Sequence, residues 1–277
     1  MIDFNPRGEN AMRTRLPALL ALFMSLLCIS AVSGLTGPIS SVIVPGTSAG
    51  TETGLYLIAG DLVVLSASGA VNTLPPSSGN LASPAGNGFP CTASCLFPSA
   101  QFGALIGRIG DHGSWFYVGP NLTINSPSTG RLYLAVNDTI HDNNTGRFIV
   151  SSTVTAGASF SCAATSTALC LDGNRFRVQV FWRLADGTSD NGQVVPYFSS
   201  DSGIFWFFGP NNWELMVKVL NGCGLNQRHW VFAAATTNVE FILRVRDTNT
   251  GIVRMYFNPP GRAADALTDV SAFSGCS

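Results

Sequence analysis

Apolar and polar positions alternate along much of this chain with the two-residue period of a half-buried β-strand. Leu132, Leu134 and Val136 alternate with Arg131, Tyr133 and Ala135. The first half is expected to hold short strands at 41–44, 62–68, 104–109, 115–118, 131–136 and 148–154. In the second half Phe176, Val178, Val180 and Trp182 face one way, and Arg175, Arg177, Gln179 and Arg183 the other. Leu215, Val217 and Val219 alternate with Glu214, Met216 and Lys218. Val239, Phe241, Leu243 and Val245 alternate with Glu240, Arg244 and Arg246, and Ile242 breaks the polarity. Asp247-Thr-Asn249-Thr-Gly251 then turns the chain into Val253, Met255 and Phe257. Helix-period runs bounded by caps are nearly absent. The pattern predicts an all-β chain of two β-sandwich domains, 34–155 and 156–277, the second immunoglobulin-like. The junction falls in the polar, small-residue stretch 156–171, where Cys162 and Cys170 could tie the chain to the next strand. Residues 74–99, rich in Pro, Gly, Ser and Asn, read as a surface excursion pinned by Cys91 and Cys95.

Composition narrows the class. An apolar fraction of 46% with only 11% charged residues suits a packed β-protein and argues against a coiled coil or a charge-rich disordered chain. Arg13 and Arg15 precede an apolar run, 16–28, and then Ile-Ser-Ala31-Val-Ser33-Gly34, the order of a secretory signal cleaved after Ser33. Met12 fits the start of that signal better than Met1. A retained anchor is the competing reading, though the run is short for a span of about 20 residues. A lipoprotein site at Cys28 has bulky Leu27 where a small residue is needed. Residues 1–33 contain Arg7, Arg13, Arg15, Asp3 and Glu9, so the remainder carries twelve basic and fourteen acidic side chains. Lys218 is the only lysine, and nucleic acid is excluded as a partner for want of clustered positive charge. No second apolar segment is long enough for a stable membrane span in the mature chain. Beyond Cys28 six cysteines remain; local pairing of Cys91 with Cys95 and Cys162 with Cys170, leaving Cys223 with Cys276, is expected in an oxidising compartment. The alternative, metal ligation, lacks the tight spacing and histidine support of a zinc site.

The densest chemistry lies at Asn137-Asp138-Thr-Ile-His141-Asp142-Asn143-Asn144-Thr-Gly146. Asp138, Asp142, Asn143 and Asn144 place two charged and two neutral oxygen groups in seven residues, a set that can curl around calcium, which takes about six to eight oxygens. Gly146 would free the backbone to return to Phe148. A polar hairpin whose Asn and Asp satisfy turn backbone groups explains the same residues. His141 borders the cluster and His112 lies in an expected hairpin turn. The aromatic run 204–213 reads as a core strand with an edge turn, or as a ligand platform. Gly46-Thr47-Ser48-Ala49-Gly50 has the letters of a nucleophile elbow, but a β-like run follows where a helix is required. No His-Glu-x-x-His pattern exists. Glu214 and Glu240 could imitate glycosidase carboxylates only at about 5–9.5 Å separation, and their place on polar strand faces needs no such role. No enzyme is expected.

Three segments, Gly60-Asp61-Leu-Val-Val-Leu, Phe102-Gly103-Ala-Leu-Ile-Gly-Arg-Ile-Gly110 and Arg131 through Phe148, resemble the bacterial calcium-dependent galactose-binding lectins of the LecA type. The likeness spans about residues 41–155, and the Cys91/Cys95 loop is similar to a disulfide-bearing loop of that family. It implies a lectin-like first sandwich in which Ca2+ bridges protein and sugar hydroxyls. By motif position Asp138 and Asn143 would bind metal and sugar, Asn144 metal, and a backbone carbonyl near Thr73 would complete the set. Asp142 is a further candidate metal ligand and His141 a candidate sugar contact. The family's recognition loop carries a histidine and a glutamine, whereas 80–89 here has neither, so the resemblance does not extend to galactose. The second half resembles an uncharacterised β module of secreted bacterial proteins, through Cys170-Leu-Asp-Gly-Asn-Arg175-Phe-Arg-Val, Asp201-Ser-Gly-Ile-Phe-Trp-Phe-Phe and Asn212-Trp-Glu-Leu-Met-Val-Lys-Val-Leu-Asn-Gly-Cys223. The expectation is a secreted, periplasmic or cell-surface bacterial protein that binds a carbohydrate or glycoconjugate with calcium. The alternative is a noncatalytic cell-surface or adhesion protein with a structural calcium or none. Oligomerisation stays open.

Overall fold

A computed structural model of the protein describes residues 41–73, 81–92, 95–157, 161–197 and 199–276. The secretory-signal expectation (1–33) lies outside the described residues, as do 74–80 and 93–94 of the excursion. Strands dominate, and the helix among the described residues is the single turn Cys223–Asn226. No helix of the described residues is long and apolar enough to cross a membrane.

The first sheet pair is built on two long strands, Leu62–Asn72 and Thr145–Thr155, which are in register from Leu62↔Thr155 to Asn72↔Thr145. Ser41–Pro45 extends this sheet on one side; Leu81–Ala82 and Asn121–Asn125 pair with Leu62–Asn72. The facing sheet runs Thr51–Leu57, Gly130–Val136, Leu105–Ile109, Phe116–Tyr117. Val63, Leu65 and Val71 share the odd-numbered face of their strand, point inward and meet Leu132, Leu134, Val136, Phe148 and Val150. Each such buried side chain contributes about 1.5–3 kcal/mol, which sets the inward face of every strand. The strand Thr51–Leu57 escapes simple alternation because its register shifts between Glu52 and Tyr56, where Gly54 takes φ 74°.

The second sheet pair has Leu169–Leu171, Phe176–Arg183, Glu240–Asp247 and Val253–Asn258 in one sheet, with Ser189–Asn191 on the edge of Phe176–Arg183. Its mate runs Gln193–Val194, Ser202–Gly209, Asn212–Asn221, His229–Ala235, Leu267–Phe273. The alternating sets at Phe176, Val178, Val180 and at Leu215, Val217, Val219 meet in this core, with Phe205 and Phe207 from the aromatic run. That run is a core strand, and Trp213 bends at its edge turn, where the indole N–H donates to the Pro210 carbonyl. The three disulfides are Cys91–Cys95, Cys162–Cys170 and Cys223–Cys276, the local pairing expected.

One strand departs from a half-solvated reading. Glu240–Asp247 is buried at every position. Phe241, Leu243 and Val245 enter the second core, while Ile242, joined by Val253 and Met255, enters the first. The irregular Ile242 is therefore a core residue of the neighbouring sheet pair. Arg244 and Glu240 on that face pair with charges from the first half. Arg244 Nη2 lies 3.0 and 2.9 Å from the two Asp61 carboxylate oxygens, with both side chains almost wholly buried. Glu240 reaches Arg131 at 2.6 Å and Arg183 at 2.9 Å, and Glu52 pairs with both arginines. The described residues accordingly lie within one compact unit.

Candidate functional site

The turn between Gly130–Val136 and Thr145–Thr155 is held from both sides. Asn137, wholly buried, accepts the Phe97 N–H at 2.8 Å and donates through Nδ2 to the carbonyls of Phe97 (2.9 Å), Gln101 (3.0 Å) and Ala100 (3.4 Å). Its backbone closes bonds to Ala104 and Gly103. Asp138 Oδ1 accepts the Ile140 N–H at 2.9 Å, the local turn bond that a polar hairpin would use. Asn144 Nδ2 donates to the Gly46 carbonyl at 3.1 Å. Gly146 takes φ 83°, and a Cβ there would lie 2.4 Å from the Ala70 carbonyl, so glycine is required for the chain to rejoin the ladder. The ladder ends at Asn72↔Thr145, which brings Thr73 beside Asn144 at the same end of the sheet.

Several buried polar atoms in this turn and on the neighbouring Thr73 have no hydrogen-bond partner. Asp138 Oδ2, His141 Nε2, Asn143 Oδ1, Asn144 Oδ1 and Thr73 Oγ1 are all buried without a hydrogen bond. Each such group costs about 1–3 kcal/mol if left dry, and native proteins rarely leave several together. Three of the five are acceptor oxygens and the threonine hydroxyl can act either way, so the place is suited to groups that bring O–H or N–H donors. Asp142 stands apart, exposed to solvent.

The calcium expectation is corrected here. Among the described residues, the group of three or more His, Cys, Asp or Glu side chains whose ligand atoms gather within 4.8 Å is Cys223, His229 and Cys276, a nitrogen and sulfur set. Calcium takes hard oxygens, about six to eight of them. The turn's buried set offers a single carboxylate, that of Asp138, and Asp142 is exposed to solvent. The sulfur pair is itself occupied: Cys223 and Cys276 are bonded to each other, so neither is the thiolate that a zinc site would need. His229 is likewise engaged, with Nδ1 2.9 Å from Asp172 and Nε2 2.8 Å from Arg175. The guanidinium can only donate, so Nε2 accepts and the proton sits on Nδ1.

The enzyme-like patterns dissolve in the same way. Ser48 lies in a turn between two strands, Ser41–Pro45 and Thr51–Leu57, and no helix follows it. Glu214 Oε2 accepts the Phe207 N–H at 2.6 Å within its own sheet, while Glu240 is held by arginines in the other. Asn137 is the residue that sequence reading passed over: its neighbours in the chain are oxygen-rich as well, and only the fold shows that it clamps the 97–101 loop.

No protein-family model matches this chain, and no curated protein matches it either. Among solved structures, "EclA N-terminal domain; PllA-like lectin" is 28% identical, covering 42% of this chain and 95% of that one, with a TM-score of 0.34. The likeness is to a lectin domain. A TM-score of 0.34 is too low for it to decide fold or ligand here.

Proposed function

We propose that this is a noncatalytic extracytoplasmic binding protein of the adhesion type. Its 138–144 turn takes a hydroxylated ligand, a carbohydrate or glycoconjugate, by direct hydrogen bonds and without calcium. The observation that carries this reading is the group of five buried, unpartnered polar atoms on Thr73, Asp138, His141, Asn143 and Asn144. Asp138 Oδ2 and Asn143 Oδ1 would accept ligand hydroxyls, His141 Nε2 would complete the contact, and Asn144 and Thr73 would line the inner wall. A sugar ring supplies several O–H donors at fixed spacing, as such a wall requires. In this reading residues 34–155 are the lectin-like half that carries the site, and 156–277 an immunoglobulin-like accessory. Three disulfides support an oxidising compartment, in line with the signal-like N-terminus.

The test is glycan-array binding followed by titration, with and without a chelator. Binding that persists in chelator and falls at least tenfold in both Asn143→Ala and Asp138→Asn supports the reading. Binding abolished by chelator overturns the metal-free contact. Absence of binding to any glycan overturns the ligand class, and hydrolysis of a bound glycan overturns the noncatalytic assignment.

A further inference from the structure

A small cavity, about 170 Å³, opens where the two sheet pairs meet. It lies at the opposite end of the Gly130–Val136 strand from the 138–144 turn; seven residues at about 3.3 Å each separate the two by roughly 20 Å. Tyr56 and Phe181 form its aromatic wall, stacked at 3.7 Å between centroids and 7° from parallel. Arg131 is the ladder partner of Tyr56, and Asn191 that of Phe181. Cross-strand partners project from the same face, which puts all four side chains on the cavity side. Arg131 uses Nη1 on Glu52 and Glu240, at 2.6 Å each, and its Nη2 is buried with no acceptor.

We propose that this cavity is a subsite for one neutral hydroxylated ring, a single sugar residue, lying against the Tyr56–Phe181 pair with an oxygen on Arg131 Nη2. Size favours it. At about 30 Å³ per liquid water the space takes roughly five or six waters, close to one pyranose and below the roughly 300 Å³ at which drug-sized pockets begin. Charge decides between a neutral ring and an anion. Glu52, Glu240, Asp111 and Asp190 surround Arg131 and Arg183, four carboxylates to two guanidinium groups. A further negative group would enter a site already in acidic excess. Burial raises the Tyr56 hydroxyl pKa; Arg131 opposes this and Asp190 adds to it, with a net rise. The phenol therefore stays a donor at neutral pH. Asn191 and Asp190 both line the cavity, with Asn191 Nδ2 3.3 Å from Asp190 Oδ1. This subsite stands whether or not the distant turn binds anything.

The experiment uses the full chain with its disulfides intact and titrates neutral methyl pyranosides, with methyl glucuronide as the charged control, read by saturation-transfer NMR and calorimetry. Asn191→Ala removes an edge contact. Ser189→Trp blocks the mouth from an exposed position. Arg131→Lys keeps the charge facing Glu52 and Glu240 and deletes Nη2. At least one neutral pyranoside is expected to bind saturably in the Asn143→Ala background, where the turn's own contribution is removed, and to lose tenfold or more when Asn191→Ala or Ser189→Trp is added to it. The two edge variants are checked for unaltered thermal unfolding, so a fold lost in Arg131→Lys does not blunt the test. No saturable pyranoside binding overturns the proposal, as does binding confined to the glucuronide. Binding lost in Asn143→Ala but unaffected by the two edge variants also overturns it, by assigning the sugar to the turn.

Discussion

Replacing Asp61 by asparagine should be among the most damaging single changes in the chain, although the substitution is nearly isosteric. Asp61 and Arg244 face each other with both carboxylate oxygens within 3.0 Å of Nη2, in a seam where neither side chain retains more than 3% of its surface. Burial lowers the Arg244 pKa, and Asp61 is the acid that opposes this, while Arg246 and Arg177 repel it. Without the carboxylate the guanidinium is buried next to two like charges. Removing one partner of a buried pair costs about 3–5 kcal/mol. For a unit of this size, at about 2–4 °C per kcal/mol, that lowers the melting temperature by roughly 6–20 °C. Calorimetry at pH 7 with the disulfides oxidised measures it. The double variant Asp61→Leu with Arg244→Met removes both charges, and its expected stability is close to or above the parent, since apolar isosteres often match a buried pair. A loss below about 1 kcal/mol for Asp61→Asn, with Arg244 left in place, would refute the reasoning; water would then have to reach that face of the Glu240–Asp247 strand.

Other tests bear on separate parts of the molecule. Asn137→Ala removes four side-chain hydrogen bonds holding residues 97–101; it should cost about 2–4 kcal/mol and speed amide exchange there ahead of the rest of the chain, and unchanged exchange would count against the clamp. Burial works to raise the Asp247 carboxyl, but the Arg175 fork, the Asn249 N–H and the Thr250 hydroxyl outweigh it and hold the pKa below the usual value. A depressed carboxyl contributes stability that is present above its unfolded pKa of about 3.9 and lost as pH falls through the folded value. Asp247→Asn should therefore weaken the protein at neutral pH and flatten its acid-unfolding curve, and an unchanged pH slope would contradict the assignment. Opening the Cys223–Cys276 crosslink with paired serines should cost about 4 kcal/mol for a 53-residue separation. Zinc added to the oxidised protein should leave its melting temperature unchanged; a rise would show that the Cys–His group ligates despite the disulfide.

The inward faces of Phe176–Arg183 and Asn212–Asn221 were legible because one side of each strand is apolar throughout. Glu240–Asp247 was not: alternation marks a polar face but does not distinguish one meeting solvent from one meeting buried counter-charges, and Glu52, Asp61 and Arg131 lie more than a hundred residues upstream. Thr51–Leu57 was blurred by the shift at Gly54, which puts consecutive residues out of phase. Asn121–Asn125 was missed because it is short and bounded by asparagines that read as turn. At the 138–144 turn the oxygen-rich composition was plain, yet which of those oxygens the protein itself satisfies was not. Asn and Asp look alike in sequence whether they cap a turn, as Asp138 Oδ1 does, clamp a loop, as Asn137 does, or stand unpartnered, as Asn143 Oδ1 does. Asp142, counted with them on spacing, faces outward.

Because Ile242, Val253 and Met255 close the hydrophobic interior of the other half, and Met255 sulfur accepts the Tyr56 N–H at 3.1 Å, neither half is a self-sufficient cassette. A gene fusion or truncation that severs the chain near residue 156 would strip one fragment of its lid and present the other's charged, half-greasy surface to water. Re-engineering a protein of this build would therefore mean exchanging turns on an intact scaffold rather than shuffling whole modules.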